Sequence, residues 1–513
     1  MADFEFGIRP QTATATQRVE ERPFILGLMA DLSGEPAEPL AMVTERRFLA
    51  VDVDNVDDRM RAVGPRVAFE VANAVTGEGT IAVDLTFADL DDFGPAAVAS
   101  KVELLSALRD GRARLAAMRS GKAESGASAR ELLGQAISDP LLVDAIAGSG
   151  PAPEVKQPEA EAEDRATPEA VSELERLLGR TVSSPPKPTT SPLQGLFEQA
   201  AAGTPGVSDQ TEQTLGLLID RIDELMGRQL DAILHHDAFR ALEATWRGLH
   251  FLLERAETDD GLTLRVLNAS KAELATMMEA GGMLGGNPLA SRLKGEPYGA
   301  LVGDYAFDHA AEDVALLRGL GEMASALGLS FIGGAAPSLL GLTTWRELSP
   351  DLDAFQVLAD EAHAAWRELV DSEVSRSLIL TMPRFLARLP YGRKTNPAEG
   401  LSAYQETAAV SDIGAFAWSN AAWAMAAVIA SAASAEGWNA TLTAGAESCQ
   451  VGGLPCYAFT NRDGDSEIMC PTEVAMSVEF GTLLAKAGLA PLLHLKNTDR
   501  AVFVRVPTLG RRG

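Results

Sequence analysis

Cysteine is scarce in this chain. Cys449, Cys456 and Cys470 are the three thiols in 513 residues. An odd, sparse set argues against a disulfide framework and fits a reducing cytoplasm. Six histidines are present: His235, His236, His250, His309, His363 and His494. None stands in the two-His spacing with an intervening glutamate that marks a zinc hydrolase. Cations are also short, with Lys+Arg 44 against Asp+Glu 72 and a net charge of -28. Such a field repels nucleic acid and anionic lipid and argues against both as primary partners. The glycine-rich stretch Gly281-Gly-Met-Leu-Gly-Gly286 lacks the Lys-Ser/Thr of a phosphate loop, and no serine sits in a Gly-x-Ser-x-Gly elbow. The opening Met-Ala-Asp-Phe-Glu-Phe has neither the basic start nor the apolar core of a signal peptide.

What is present is an ordinary globular balance, 46% apolar and 23% charged, in a chain long enough for two to four domains. No charge falls between Asp412 and Glu436, a length that could span a bilayer. Ser419, Asn420, Ser431 and Ser434 interrupt that run, alanine dominates it, and no Lys/Arg cluster flanks it. It is therefore expected to be a buried small-residue helix, with no membrane insertion.

Three regions follow from composition and period. In 1–120, Phe4-Glu-Phe-Gly-Ile8 alternates like a short strand, and Pro23 to Ala30 is a continuous apolar run ending in the turn Asp31-Leu-Ser-Gly34. Arg66 to Val71 and Thr80 to Phe87 flank Thr76-Gly-Glu-Gly79 as a hairpin, and Val98 to Met118 has helical period. The stretch 121–209 is rich in Ala, Pro, Ser and Glu and reads as a flexible linker. Amphipathic pieces lie in it at Glu131 to Ile146, Pro168 to Leu178 and Pro192 to Glu198. From 210 to 513, helices at Leu215–Leu234 and Phe239–Arg255 precede alternating strands and helices, which imply an α/β body with a parallel or mixed sheet.

Trp246-Arg247-Gly248 lies among apolar residues at helical spacing, with no nucleophile or metal-ligand set beside it. That composition suits an element built to be packed against. Its stretch resembles a signature of the type VI secretion contractile sheath large subunit (TssC/VipB-like). The resemblance continues through Arg265-Val-Leu-Asn-Ala-Ser-Lys271, Gly295 to His309, Glu312 to Leu317, Pro383-Arg-Phe-Leu-Ala-Arg-Leu-Pro-Tyr-Gly392, Trp418 to Ala422, Gly453-Leu-Pro455, Pro471 to Val474 and Lys496-Asn-Thr-Asp499. The first region is similar to the small sheath subunit (TssB/VipA-like) at Arg22 to Gly27, Asp31 to Gly34, Arg46-Arg-Phe48, Asp54-Asn55, Pro65 to Phe69, Leu85 to Phe87 and Asp92-Phe93. The two together imply a small-subunit domain fused to a large-subunit domain that lacks the family's usual C-terminal extension. Ser448-Cys449-Gln450 replaces a glycine-rich turn of the family.

The resemblance implies an α/β fold of two sheath-type domains with mixed sheets flanked by helices, and a structural role in a cytoplasmic sheath around a secretion tube. Implied partners are other sheath subunits and copies of itself, the tube protein (Hcp-like), a ClpV-like ATPase and baseplate proteins. No cofactor, metal or catalysis is expected. An accessory cap, baseplate component or assembly regulator is the alternative within the same biology. A hydrolase using Cys470, His494 and Asn497 is the alternative from another class, against which stands the absence of an activating local motif. Candidate interface residues are Phe4, Phe6 and Ile8 for strand addition to a neighbour, and Leu193, Leu196 and Phe197 for the ATPase. Trp246 is a candidate aromatic anchor, and Arg247, Arg384 and Arg388 are candidates for cross-subunit pairing.

Overall fold

The computed structural model describes residues 5–7, 23–120, 128–147, 208–258, 261–283, 288–406, 416–443, 445, 447–456, 458–460 and 466–510. They fall into two compact units. The larger draws on Met1–Val71, Ala82–Val98 and Asp231–Gly513, and the smaller on Ala72–Ile81 and Ala99–Leu230.

In chain order the strands are β1 (Glu5–Gly7), β2 (Phe24–Ala30), β3 (Leu49–Val51), β4 (Arg66–Ala72), β5 (Thr80–Thr86), β6 (Leu262–Asn268), β7 (Tyr298–Phe307), β8 (Phe331–Ala335) and β9 (Leu378–Met382). They continue as β10 (Phe385–Leu386), β11 (Trp418–Ser419), β12 (Thr441–Thr443), β13 (Gln450–Val451), β14 (Ala458–Thr460), β15 (Ser466–Ile468), β16 (Leu489–His494) and β17 (Ala501–Phe503). The five longest helices among the described residues are α1 (Glu103–Ser120), α2 (Ser208–Leu234), α3 (Asp237–Leu253), α4 (Ala311–Leu327) and α5 (Ala421–Glu436).

A nine-stranded sheet with the order β13-β17-β16-β9-β8-β7-β2-β6-β3 organises the larger unit. The six strands from β16 to β6 are parallel, with antiparallel neighbours at either end. Parallel strands are covered on both faces, which is why β2, Phe-Ile-Leu-Gly-Leu-Met-Ala, is buried at all seven positions. The winding reverses at β2: β6 lies on one side of it, and β7 and its successors on the other. Phe24 pairs with Leu262 and the register holds to Ala30 with Asn268. On the β7 side Ile25 pairs with Tyr298 but Leu26 with Ala300, so Gly299 is the extra residue of a bulge. A Cβ at Gly299 would stand 1.9 Å from the Phe24 ring.

Ile25 and Met29 face one core, shared with α4 and containing Leu317, Phe331, Trp345 and Trp366. The opposite face carries α5, which packs on β2, β6, β7, β8 and β9, and α3 packs on α5. Every residue of α5 from Ala421 to Ala430 is buried. From Ala421 onward the uncharged run is thus a core helix, as its small residues predict. No helix among the described residues is long and apolar enough to cross a membrane.

The α/β architecture with a mixed sheet and flanking helices agrees with the sequence expectation. The compact units, however, cut across the expected regions, because β2 and β3 come from 1–120 and enter the sheet formed by 210–513. The physical reason is edge satisfaction: without β2, both β6 and β7 would present bare backbone N–H and C=O groups. The expected hairpin is β4 and β5. β1 pairs antiparallel with β12 of its own chain, with Glu5 opposite Thr443 and Phe6 opposite Leu442.

Among the described residues, the smaller unit is helical apart from its hairpin tip. Gly111 of α1 allows the Ile137 side chain to approach, since a Cβ there would lie 2.5 Å from it. Arg112 of α1 pairs with Asp223 of α2. The Gln229 amide, fully buried, donates to the Ala72 carbonyl at 3.2 Å and accepts from the Ala74 N–H at 2.8 Å. Ser128 and Glu131 form a capping box on the helix Ala129–Ala136, which overlaps the start of the expected amphipathic piece Glu131 to Ile146.

Gly299→Ala should lower stability by about 1–3 kcal/mol through overpacking against Phe24. Gly134→Ala, in open space on a helix, should be neutral or stabilising by up to about 1 kcal/mol. Urea denaturation of both variants measures the contrast.

Candidate functional site

α3 begins where His235 and His236 turn the chain out of α2. The His236 ring accepts from the Ala238 N–H at 3.3 Å and stacks on Phe69 with centroids 3.8 Å apart. From there α3 presents four different contacts on successive residues, all within the larger unit.

Trp246 has no accessible surface and donates from Nε1 to the Leu32 carbonyl at 3.0 Å. Leu32 lies in the turn after β2, where Asp31 Oδ1 accepts from the Ser33 and Gly34 N–H groups at 3.3 and 3.0 Å. Gly34 adopts φ +62°, and a Cβ there would meet the Arg66 carbonyl at 2.5 Å. Thr245 donates to Asp304 Oδ2 in β7 at 2.6 Å. Burial raises the carboxyl pKa of Asp304, against the pull of Thr245, and also that of Asp31, against its backbone donors. In open α/β sheets, ligands enter the crevice beyond the strand ends where the winding reverses. Here that position, between β2 and β7, is filled by Thr245 and Trp246. Gly248 completes the packing, since a Cβ there would stand 2.3 Å from the Trp423 indole of α5.

The fourth contact is a buried ionic cluster. Arg388 Nε donates to Glu243 Oε1 at 2.7 Å, while its Nη1 and Nη2 donate to Glu406 Oε2 and Oε1 at 2.7 and 3.2 Å. Arg247 Nε donates to the same Glu243 oxygen at 2.8 Å, and its Nη2 to the Tyr391 hydroxyl at 3.2 Å. His235 Nε2 donates to Glu406 Oε1 at 3.1 Å, and the Tyr391 N–H to Glu406 Oε2 at 2.8 Å. Side-chain exposure is 5% for Arg388, 0% for Glu243 and 1% for Glu406. The guanidinium lies over the Tyr391 ring at 4.3 Å.

Electrostatics explains how charge survives there. Burial would raise the Glu406 carboxyl, yet Arg388, His235 and the Tyr391 N–H more than offset it and lower its pKa to about 2. Burial likewise disfavours the Arg388 cation, but Glu243 and Glu406 hold its pKa well above the usual arginine value. Tyr404, on the same loop, donates to Asp231 Oδ1 at 2.7 Å; burial and that neighbouring carboxylate raise the phenol.

These positions correct part of the expectation for interface residues. Trp246 and Arg388 face inward and are enclosed by their own chain, so neither offers a surface. Arg388 is drawn in because its two carboxylate partners are themselves buried, and Arg247 is mostly covered beside it. Arg384 is different: it forms a bidentate pair with the buried Glu473 at 2.8 and 2.9 Å while its own side chain is 45% exposed. Arg376 pairs with Glu373. Phe6 lies in β1, whereas Phe4, Ile8, Leu193, Leu196 and Phe197 lie outside the described residues. Cys470 Sγ is 3.0 Å from Thr472 Oγ1, and the His494 ring is bonded to the Thr498 carbonyl at 2.9 Å. The thiol and the imidazole of the hydrolase alternative are therefore engaged elsewhere. Burial raises the Cys470 pKa, the wrong direction for a nucleophile.

Sequence reasoning missed Glu243, Glu406 and Tyr391. Glu243 and Arg247 do show the four-residue spacing of a helical ion pair. Glu406, in a polar loop, carries no local signal.

Comparison with known proteins matches residues 217–510 to VipB, described as EvpB/VC_A0108, tail sheath N-terminal domain. Residues 8–149 match the type VI secretion system family VipA, VC_A0107 or Hcp2. The type VI secretion system sheath protein TssC1 of Pseudomonas aeruginosa is 39% identical over 327 residues, covering 62% of this chain and 66% of TssC1, just under two thirds of that relative's length. The sheath protein TssB1 of the same organism is 49% identical over 138 residues, covering 27% of this chain and 79% of TssB1.

Arg388→Met should cost about 3–5 kcal/mol, because two buried carboxylates lose their shared cation. With its folded pKa depressed from 4.5 to about 2, Glu406 contributes stability that is present above the higher value and is lost as pH falls toward the lower. Urea midpoints measured downward from neutral pH should therefore decline below about pH 4.5. The decline should be shallower in Glu406→Gln.

Proposed function

The chain belongs to the type VI secretion contractile-sheath family, joining a VipA-type stretch to a VipB-type one, and from that premise we propose that it is a structural sheath component in which both subunit types are folded as one protomer. The observation that carries this reading is the sheet itself. β2 and β3, from the VipA-type stretch, are in register with β6 and β7 of the VipB-type stretch. The pairing that separate subunits would have to make in trans is made here within one chain, which fixes its stoichiometry at one to one.

In this reading 1–120 is the small-subunit part, 121–209 the linker and 210–513 the large-subunit part. Joining the two parts in one chain makes their association intramolecular, so the central strand is always available to the sheet. The protomer acts mechanically: free energy resides in contacts between protomers and is released when they rearrange, and no bond chemistry takes place. A plugged strand-end crevice and a charge-balanced interior suit a rigid element that transmits load. Copies of the chain and other sheath subunits are the primary partners, a tube protein occupies the lumen, and an ATPase and baseplate proteins act at the outside and the end. The setting is cytoplasmic. Arg384 and the strand around Phe6 are the candidate contacts that remain for neighbouring protomers.

Electron microscopy of the purified chain, alone and mixed with a separate full-length VipB-type subunit, tests this proposal. Striated helical tubes incorporating the chain are expected. Dispersed particles under both conditions, or attachment only at the ends of tubes made by the other subunit, would overturn it.

A further inference from the structure

Seven of the eight large apolar side chains that stand exposed among the described residues fall in two places. Leu40, Met42, Leu49 and Val53 lie on β3 and the residues either side of it. Phe355, Val478 and Leu483 lie on the helices Ala354–Ala359 and Val478–Lys486. Both places belong to the larger unit. Single apolar residues scattered on a surface need no explanation, whereas clustering of this kind marks an interaction face.

The first place is a loop whose backbone is pinned while its side chains stay exposed. Arg46 donates from Nε to the Ala41 carbonyl and from Nη1 to the Asn268 carbonyl, both at 2.7 Å, and pairs with Glu273. Arg292 donates to the carbonyls of Val43 and Thr44 at 3.2 and 2.6 Å, and to that of Arg46. Val43 is buried in the core. The backbone from Ala41 to Arg46 is thus fixed by two guanidinium groups, yet Leu40 is 38% and Met42 67% exposed. Ordering a loop in advance removes that cost from binding. The exposed charged residues from 35 to 54 are Glu35, Glu38, Glu45 and Asp54 against Arg47, so the loop has an acidic border.

The second place is a cavity of about 320 Å³ lined by Phe355, Trp366, Val370 and Leu509 together with Arg367 and Lys486. No carboxylate is among its described lining residues. Loop and cavity lie toward opposite ends of the nine-stranded sheet. The loop leads into β3, the last strand at one end, whereas Gly488 of the cavity leads into β16, near the other. Six strand spacings of about 4.8 Å, roughly 29 Å in all, separate β3 from β16. A pinned loop cannot reach across that distance to its own cavity.

We propose that the Leu40–Met42 loop of one copy of this chain docks in the Phe355–Lys486 cavity of a second copy. The loop offers two apolar side chains within an acidic border, and the cavity offers an apolar lining with two cations. Polarity and charge therefore match together, and the charges fix which surface meets which. Met42, unbranched and adaptable, suits an irregular cavity. The contact is heterologous: each copy gives its loop to one neighbour and its cavity to another. Such contacts run around a ring or along a helix instead of closing as a two-fold pair. Taking a second copy as the occupant rests on the sheath reading above.

The test uses the full chain carrying Met42→Asp, Phe355→Asp or Lys486→Glu, followed by sedimentation velocity and electron microscopy. Lys486→Glu removes no buried side chain, and urea midpoints check that all three variants fold. Each should weaken self-association about tenfold or more. A mixture of Met42→Asp and Phe355→Asp chains should associate more strongly than either alone, because an intact loop then meets an intact cavity. Self-association of the folded variants at the strength of the unsubstituted chain, or a loss that mixing does not restore, would overturn the contact. Tubes built equally well by substituted and unsubstituted chains would overturn it and leave the sheath reading standing. Association that the substitutions abolish, in an unsubstituted chain that builds no tubes, would support the contact and count against the sheath reading. An unsubstituted chain that stays monomeric at every concentration would also overturn the contact.

Discussion

The structure depends on one strand being in the right place. β2 is bonded along both edges, to β6 and β7, and buried on both faces. A fully buried aliphatic or aromatic side chain contributes about 1.5–3 kcal/mol relative to exposure, and β2 supplies several. Its larger contribution is geometric. The winding of the sheet reverses at β2, and the turn that follows it receives Trp246. The faces of β2 help set where α4 and α5 lie. Removing β2 would leave two open sheet edges at the centre of the molecule, where water cannot reach the freed backbone groups.

α3 turns that strand into a packed body. Its residues each answer a different neighbour: Thr245 the carboxyl in β7, Trp246 the turn after β2, Gly248 the indole of α5, and Glu243 with Arg247 the loop around Arg388. The ionic cluster is not chiefly a source of stability, since desolvation offsets much of the attraction between buried charges. It acts instead as a condition on registration. Two carboxylates and two guanidinium groups can be buried together only if α3, the loop at Arg388 and the segment at Glu406 arrive in one arrangement. Any other leaves a charge without a partner in a low-dielectric interior. For a protomer proposed to bear load, a single permitted arrangement is the useful property.

Much of this was legible beforehand, and the rest was not for identifiable reasons. The continuous apolar run at β2 reads as a buried strand, and parallel sheets bury both faces. The uncharged alanine run read as core because its serines and asparagine suit a packed helix better than lipid. Arg388 was expected to pair across subunits, since an arginine in a loop shows nothing of where it points. Its partners are 145 and 18 residues away in sequence, and neither separation has a periodic signature. Trp246 is ambiguous for the same reason: a large aromatic on a helix serves a core or an interface equally well until the neighbouring elements are known.

The sequence by itself determined the segments, their periods, the family they belong to and the presence of both subunit types in one chain. Each of these is written in local pattern or in ordered motifs. The tertiary structure alone decided that the first apolar run sits at the centre of a sheet built mostly from residues beyond 260. It alone decided that Trp246 fills the crevice where such sheets place ligands, and that Arg388 joins Glu243 and Glu406 in the interior. Local periodicity states which face of an element must be buried. What it is buried against is settled by long-range closure, where backbone edges, side-chain volume and charge must be satisfied together.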